Sequence, residues 1–183
     1  MRITASTFSH SRWPRVEIAL LLCAGIAILS APVGLAAPPA VSPRIDFILI
    51  DKSDRQLTLY ASGRAVRTIR IVLGGNPIGP KTQQGDSRTP EGRYTIDRKI
   101  PNSTFTRGLG ISYPNAQDKA RARKLHLDPG GSIVIHGTPE YIEPLYTIGS
   151  YQDWTNGCVA MPTAQMREVY DMVPLGTPIE IRP

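Results

Sequence analysis

The chain is 183 residues long, 41% hydrophobic and 20% charged, which is enough apolar material for one core and too little chain for two ordinary domains. Its formal charge of +6 is spread along the sequence with no run of five or more like charges, so a nucleic-acid-binding tail is excluded and no nucleic-acid partner is expected. Two Cys and three His, with no H-E-x-x-H or Cys-x-x-Cys, exclude a zinc-finger ligand set; no metal and no cofactor is expected.

In chain order, residues 1–17 carry Arg2, Arg12 and Arg15 against the single acid Glu17, and the apolar run Ile18 to Leu29 follows. Positive, then apolar, then small is the order of a signal peptide, with Gly34 and Ala36 at the −3 and −1 positions of a cleavage site. Cleavage after Ala36 is expected, and with it export to the periplasm or cell envelope. The alternative is an uncleaved anchor, the chain's one route to the membrane, but Ser30, Pro32 and Gly34 interrupt the second half of the span. Leu22 stands where a lipoprotein signal wants a small residue, so Cys23 is not read as a lipidation site. Removing residues 1–36 takes Lys/Arg from 21 to 18 and acids from 15 to 14, a net +4 over 147 residues. One cysteine, Cys158, and two histidines, His126 and His136, are then left. An unpaired thiol in an exported chain is either reactive or a small buried hydrophobe.

Residues 37–44 read as an extended linker, and a single domain is expected over 45–183. Gly 16 and Pro 17 imply many turns, and the fold class is mostly β with a few short helices. Ile45 to Asp51, Gln56 to Tyr60 and Arg64 to Leu73 predict a meander of strands, the third with Ile69, Ile71 and Leu73 on one face and Thr68, Arg70 and Val72 on the other. Gly74 to Gly92 is a long loop leading into a strand over Arg93 to Arg98. Asn115 is a candidate N-cap, with Asp118 three positions on, for a short helix to Lys124 whose basic side chains face solvent. Ser132 to Ile135 predicts a strand ending at His136. A helix from Thr163 to Met172 would bury Met166, Val169, Tyr170 and Val173, and Pro178 to Ile181 a last strand.

Cys158 lies about five residues before that final helix, close enough for its exposed N–H groups to favour a thiolate if the loop folds back. A thiol nucleophile also needs a base. His126, in a basic helix exit, is read as a surface residue. His136 ends a strand and points away from Ile133 and Ile135.

Ile135-His136-Gly137, then 21 residues from His136 to Cys158 leading into Thr155-Asn156-Gly157-Cys158-Val159, resembles the signature of the L,D-transpeptidase catalytic domain family. Thr89-Pro90-Glu91-Gly92-Arg93-Tyr94 is similar to the family's T-P-x-G-x-[FY] segment, and Asp51 to Tyr60 to its opening hairpin, so the resemblance covers about Ile45 to Pro183. It implies a β-sandwich catalytic domain with Cys158 as nucleophile and His136 as base. It further implies that the Gly137 carbonyl orients the imidazole, and that backbone N–H groups near Gly157 and Cys158 form an oxyanion hole, with Thr155 and Asn156 in support. The implied partners are peptidoglycan peptide stems, cut by acyl transfer through a thioester, and murein-bound lipoprotein in one branch.

Two positions depart from the pattern. Asn156 stands where the family has His and can donate a hydrogen bond but cannot shuttle a proton. Ala160 stands where the family has Arg, which removes a bidentate carboxylate clamp. The Asp153-Trp154-Thr155-Asn156-Gly157-Cys158 variant is similar to a murein-modifying branch in which water resolves the thioester. Three readings follow: a transferase, a same-site hydrolase or amidase, and a non-catalytic wall-binding module. Trp154 and Tyr113 are read as packed aromatics. Lys81 and Arg88 are read as solvated loop residues, which as a group attract stem carboxylates.

Overall fold

The computed structural model describes residues 43–183 apart from 140, 148, 150 and 151. The expected signal or anchor at 1–36, and the linker up to residue 42, lie outside the described residues.

Strands β1 (Phe47–Asp51), β2 (Gln56–Ala61) and β3 (Arg64–Arg70) form the predicted antiparallel meander. Period-2 alternation explains them: Ile48 and Ile50 on β1, Leu57 and Leu59 on β2, and Ile69 on β3 are all buried, and their neighbours are not. Ser62 and Gly63, both in the left-handed region at φ 52° and 73°, make the tight β2–β3 turn. Alternation stops sooner than the sequence suggests. β3 ends at Arg70, and Ile71, Val72 and Leu73 are all buried, because Val72 exchanges two backbone hydrogen bonds with Ala160 and is covered on its second face.

The 74–92 loop has no strand of its own and is held by charge. The Lys52 ammonium, 2% exposed, donates to the Gly79 and Thr89 carbonyls and pairs with Glu91 at 2.6 Å. β4 (Gly92–Ser103) is longer than predicted and turns back into β5 (Thr106–Ile111), a strand the periodicity does not show. Its alternate positions are Gly108 and Gly110, whose missing side chains make room for Val134 and Arg98.

Helix α1 (Ala116–Leu125) has the predicted capping box: Asn115 accepts from the amides of Gln117 and Asp118, and Asp118 accepts from that of Asn115. β6 (Val134–Gly137) starts two residues later than expected and takes in His136 itself. A short helix α2 (Glu143–Thr147) precedes β7 (Val159–Met161). Helix α3 (Thr163–Met172) buries Met166 and Val169, with Val173 following and Tyr170 half-buried, as its 3.6-residue stripe requires. β8 (Pro178–Arg182) closes the chain order.

The eight strands form one hydrogen-bonded order, β3-β2-β1-β8-β4-β5-β6-β7. β8 lies parallel to β1 on one side and antiparallel to β4 on the other. β4 serves two halves: Gly92 to Thr95 pair with β8, and Ile96 to Ser103 pair with β5, with irregularities at Ile96/Arg98 and Ile100/Ser103 that let the strand bend. Ile48, Leu59 and Ile181 from one half share a single cluster with Leu109, Ile135 and Val159 from the other and Val169 of α3. Burying each such side chain is worth about 1.5–3 kcal/mol, so this shared core holds the half that carries β6 and β7.

Candidate active site

β6 and β7 run parallel with Ile135 opposite Val159 and His136 opposite Ala160. Ile135 and Val159 are fully buried in the main core. His136 and Ala160 therefore occupy the other face, as does Cys158, one residue before β7. His136 and Cys158 are diagonal neighbours on that face, two residues and one strand apart, a Cα separation of about 8 Å from strand spacing and rise.

The His136 imidazole is 4% exposed. Its Nδ1 lies 2.7 Å from the Gly137 carbonyl, which can only accept, so Nδ1 carries the proton and Nε2 holds the free lone pair. Burial pulls the imidazole pKa below its ordinary 6.5, and the Gly137 hydrogen bond opposes that only in part. Cys158 is half-buried, with its Sγ 3.8 Å from the Ser132 carbonyl. Burial pushes this thiol up; the Val134 amide and the charges of Lys81 and Arg98 push it down, and burial wins. At rest this face therefore carries a thiol and a neutral imidazole. The anticipated help from a helix N-terminus does not operate, because β7 intervenes and the Thr163 amide, first in α3, donates to the Glu143 carboxylate at 3.2 and 3.3 Å.

The loop from Asp153 to Cys158 is bound at both ends. Asp153 accepts from the Leu73 amide at 2.8 Å and from Nε and Nη2 of Arg55. The Thr155 hydroxyl donates to the Cys158 carbonyl at 2.7 Å and accepts from the Gly157 amide at 3.1 Å. The Thr155 backbone bridges to Gly74 and accepts from Gly75. Gly157 has φ 118°, and a Cβ there would lie 2.5 Å from the Arg88 carbonyl oxygen, so glycine is required twice over. Asn156 is exposed and lines a cavity of about 610 Å³ with Lys81, Gln84, Asp128 and Ser132. Ser132, whose carbonyl meets the thiol, is thus shared between Cys158 and this cavity.

Other predicted residues fall as follows. His126 is the exposed C-cap of α1, remote in role from the thiol. Lys81 is not solvated but 3% exposed, paired with Asp86 at 2.8 Å. Burial would raise the Asp86 carboxyl, yet Lys81 and the amides of Thr82, Arg88 and Gln83 hold it at about 2. Arg88 is half-buried, its Nε without a hydrogen-bond partner among the described residues. Tyr113 is a core residue whose hydroxyl donates to the Pro129 carbonyl. Trp154 packs with Ile142 against Val72 and Ala160, so an apolar cluster occupies the position of the absent arginine. Phe105 escapes sequence reasoning altogether: its ring stacks on His136 from the β4–β5 hairpin.

Comparison with known proteins supplies the family. The family model of the L,D-transpeptidase catalytic domain matches residues 45–181. YafK of Escherichia coli strain K12, provisionally named an L,D-transpeptidase, is 29% identical over 133 residues, 69% of this chain and 46% of its own. The chain thus spans about half the length of that curated relative. The helical cell shape determining protein Pgp2 from Campylobacter jejuni superposes with a TM-score of 0.58 at 25% identity, covering 76% of this chain and 48% of its own. An L,D-transpeptidase from Mycobacterium smegmatis shares the fold, with a TM-score of 0.51 at 18% identity over 75% of this chain and 58% of its own. A match over three quarters of the sequence, reaching every strand from β1 to β8 and including both His136 and Cys158, decides the assignment: the chain belongs to the L,D-transpeptidase catalytic domain family.

Proposed function

We propose that the protein is an exported cysteine acyl transferase acting on peptidoglycan peptide stems. The observation that carries this reading is the Nδ1 bond from His136 to Gly137, which leaves Nε2 as the basic atom on the face it shares with Cys158. In the reaction Nε2 takes the thiol proton as Sγ attacks the donor carbonyl. The developing oxyanion is received by the Cys158 amide with the Asn156 side chain as second donor. The Gly157 amide, engaged by Thr155, shapes the loop instead. Collapse breaks the C–N bond, the leaving amine takes the proton from the His136 imidazolium, and a thioester remains. An acceptor amine then attacks and gives its proton to Nε2, the C–S bond breaks, and the thiol is reformed.

Water as the second nucleophile turns the same site into a hydrolase that trims stems or frees murein-bound lipoprotein, the outcome suggested by the Asp153-to-Cys158 motif variant. Export is supported by the order of charge and apolarity in residues 1–36. The test incubates the purified chain, and Cys158→Ala, with sacculi that still carry bound lipoprotein, and reads soluble products by mass spectrometry. Cys158-dependent stem-to-stem dimers are the expected result. Trimmed stems or released lipoprotein without dimers establish the hydrolase. No Cys158-dependent product overturns the enzymatic reading in favour of a wall-binding module.

A further inference from the structure

The β4–β5 hairpin reaches the imidazole buried beside the thiol. Phe105 at its tip stacks on the His136 ring with centroids 4.5 Å apart and planes at 27°. The hairpin is seated there by its backbone too: a Cβ on Gly137 would lie 2.8 Å from the Phe105 carbonyl oxygen, and the Phe105 amide donates to Ser103 Oγ at 3.0 Å. Trp154 meets the imidazole edge-on at 5.9 Å and the Phe105 ring at 6.2 Å. On the flanking strands the ladder partners of His136 are Gly108 and Ala160. None of these four neighbours is charged; Lys81 and Arg98, the charges that act on the Cys158 thiol, pair with Asp86 and Asp97, while on the surrounding elements Arg107 pairs with Asp171, Asp153 with Arg55, and Glu143 accepts from the Thr163 amide.

We propose that Phe105 is a positioning residue for His136, its ring fixing the plane of the imidazole so that Nε2 stays aimed at Cys158. The proposal rests on the reading of His136 as the base for Cys158. One hydrogen bond, from Nδ1 to Gly137, leaves the ring free to rock about that contact; a second constraint normal to the ring removes the freedom. A base displaced by about 1 Å can cost on the order of 100-fold in rate. Stacking also keeps water off the ring face, in line with its lowered pKa.

The experiment uses the full chain and needs no wall substrate. The rate of Cys158 alkylation by iodoacetamide is measured against pH for the wild type and for Phe105→Ala, Phe105→Leu and Phe105→Tyr, with His136→Ala as control. Phe105→Ala is expected to alkylate about 10-fold or more slowly at neutral pH, with its acid limb moved up toward the ordinary histidine value, and Phe105→Tyr to restore both. If Phe105→Ala does not fold, Phe105→Leu and the ring resonances of His136 decide. A folded Phe105→Ala or Phe105→Leu with the wild-type rate and pH profile overturns the proposal, and so does a Phe105→Tyr no better than Phe105→Ala. His136→Ala alkylating like the wild type instead overturns the base assignment beneath it.

Discussion

Replacing Gly157 by alanine adds one methyl group where the nucleophile loop has no room. The new Cβ would lie 2.5 Å from the Arg88 carbonyl oxygen, a backbone atom that cannot rotate away. The residue also sits at φ 118°, a conformation that costs an L-residue about 1–3 kcal/mol. Relieving the overlap requires moving the 74–92 loop, and overpacking of this kind costs about 1–3 kcal/mol more. The sum is about 4 kcal/mol, which for a domain of this size lowers Tm by roughly 10–15 °C. Gly63→Ala is the control, since it has a positive φ of 73° but nothing within 4 Å of a Cβ, so it carries the backbone cost alone. Thermal melts followed by circular dichroism, with Cys158 alkylation in parallel, separate the two. Gly157→Ala melting within about 3 °C of Gly63→Ala would refute the close-packing argument.

Folding stability should depend on pH at both ends. His136 is held neutral below its ordinary 6.5, so the unfolded chain binds the extra proton and stability falls as pH drops through that value; His136→Gln should flatten this limb in urea titrations. Cys158 is held protonated above its ordinary 9.0, so stability falls as pH rises past that value, and Cys158→Ala should remove the effect. Asp86 has a folded pKa of about 2 against an ordinary 3.8, so its contribution is complete above 3.8 and disappears as pH falls toward 2. Lys81→Met leaves Asp86 buried without its cation and should destabilise by about 3–5 kcal/mol at neutral pH, measured by denaturant unfolding. Asn115→Ala removes the α1 cap, should cost about 1 kcal/mol in the same assay, and should leave the alkylation rate unchanged.

The parts of the fold legible in the sequence are those governed by neighbours along the chain. The stripe from Met166 to Val173 defines α3, and Asn115 with Asp118 defines the start of α1, because both signals lie within two turns of helix. β5 is hidden because its Gly108 and Gly110 are set by Val134 and Arg98, side chains that only the tertiary fold brings near. Val72 keeps its expected face, but the burial of that face is hidden for the same reason, since its partner Ala160 comes from a distant strand. Lys81 carried a usable signal, as Asp86 follows within one loop, but the burial of the pair depends on what surrounds it. Motif spacing relates Cys158 to His136, and the strand register puts both on one face. No such relation leads to the ring that covers His136, because Phe105 has no periodic or motif link to it.

β8 fills the place between β1 and β4, so the eighth strand in chain order completes a sheet begun by the first. Until it arrives, the β1–β3 meander has an open edge at β1, and β4 lacks the neighbour that ties it to that half. The sheet therefore cannot reach its native pairing by growth from the amino-terminal side. Non-local parallel closure of this kind is slow. The core therefore closes only after the distal strand has joined, and the amino-terminal meander waits on the last residues of the domain for its neighbour.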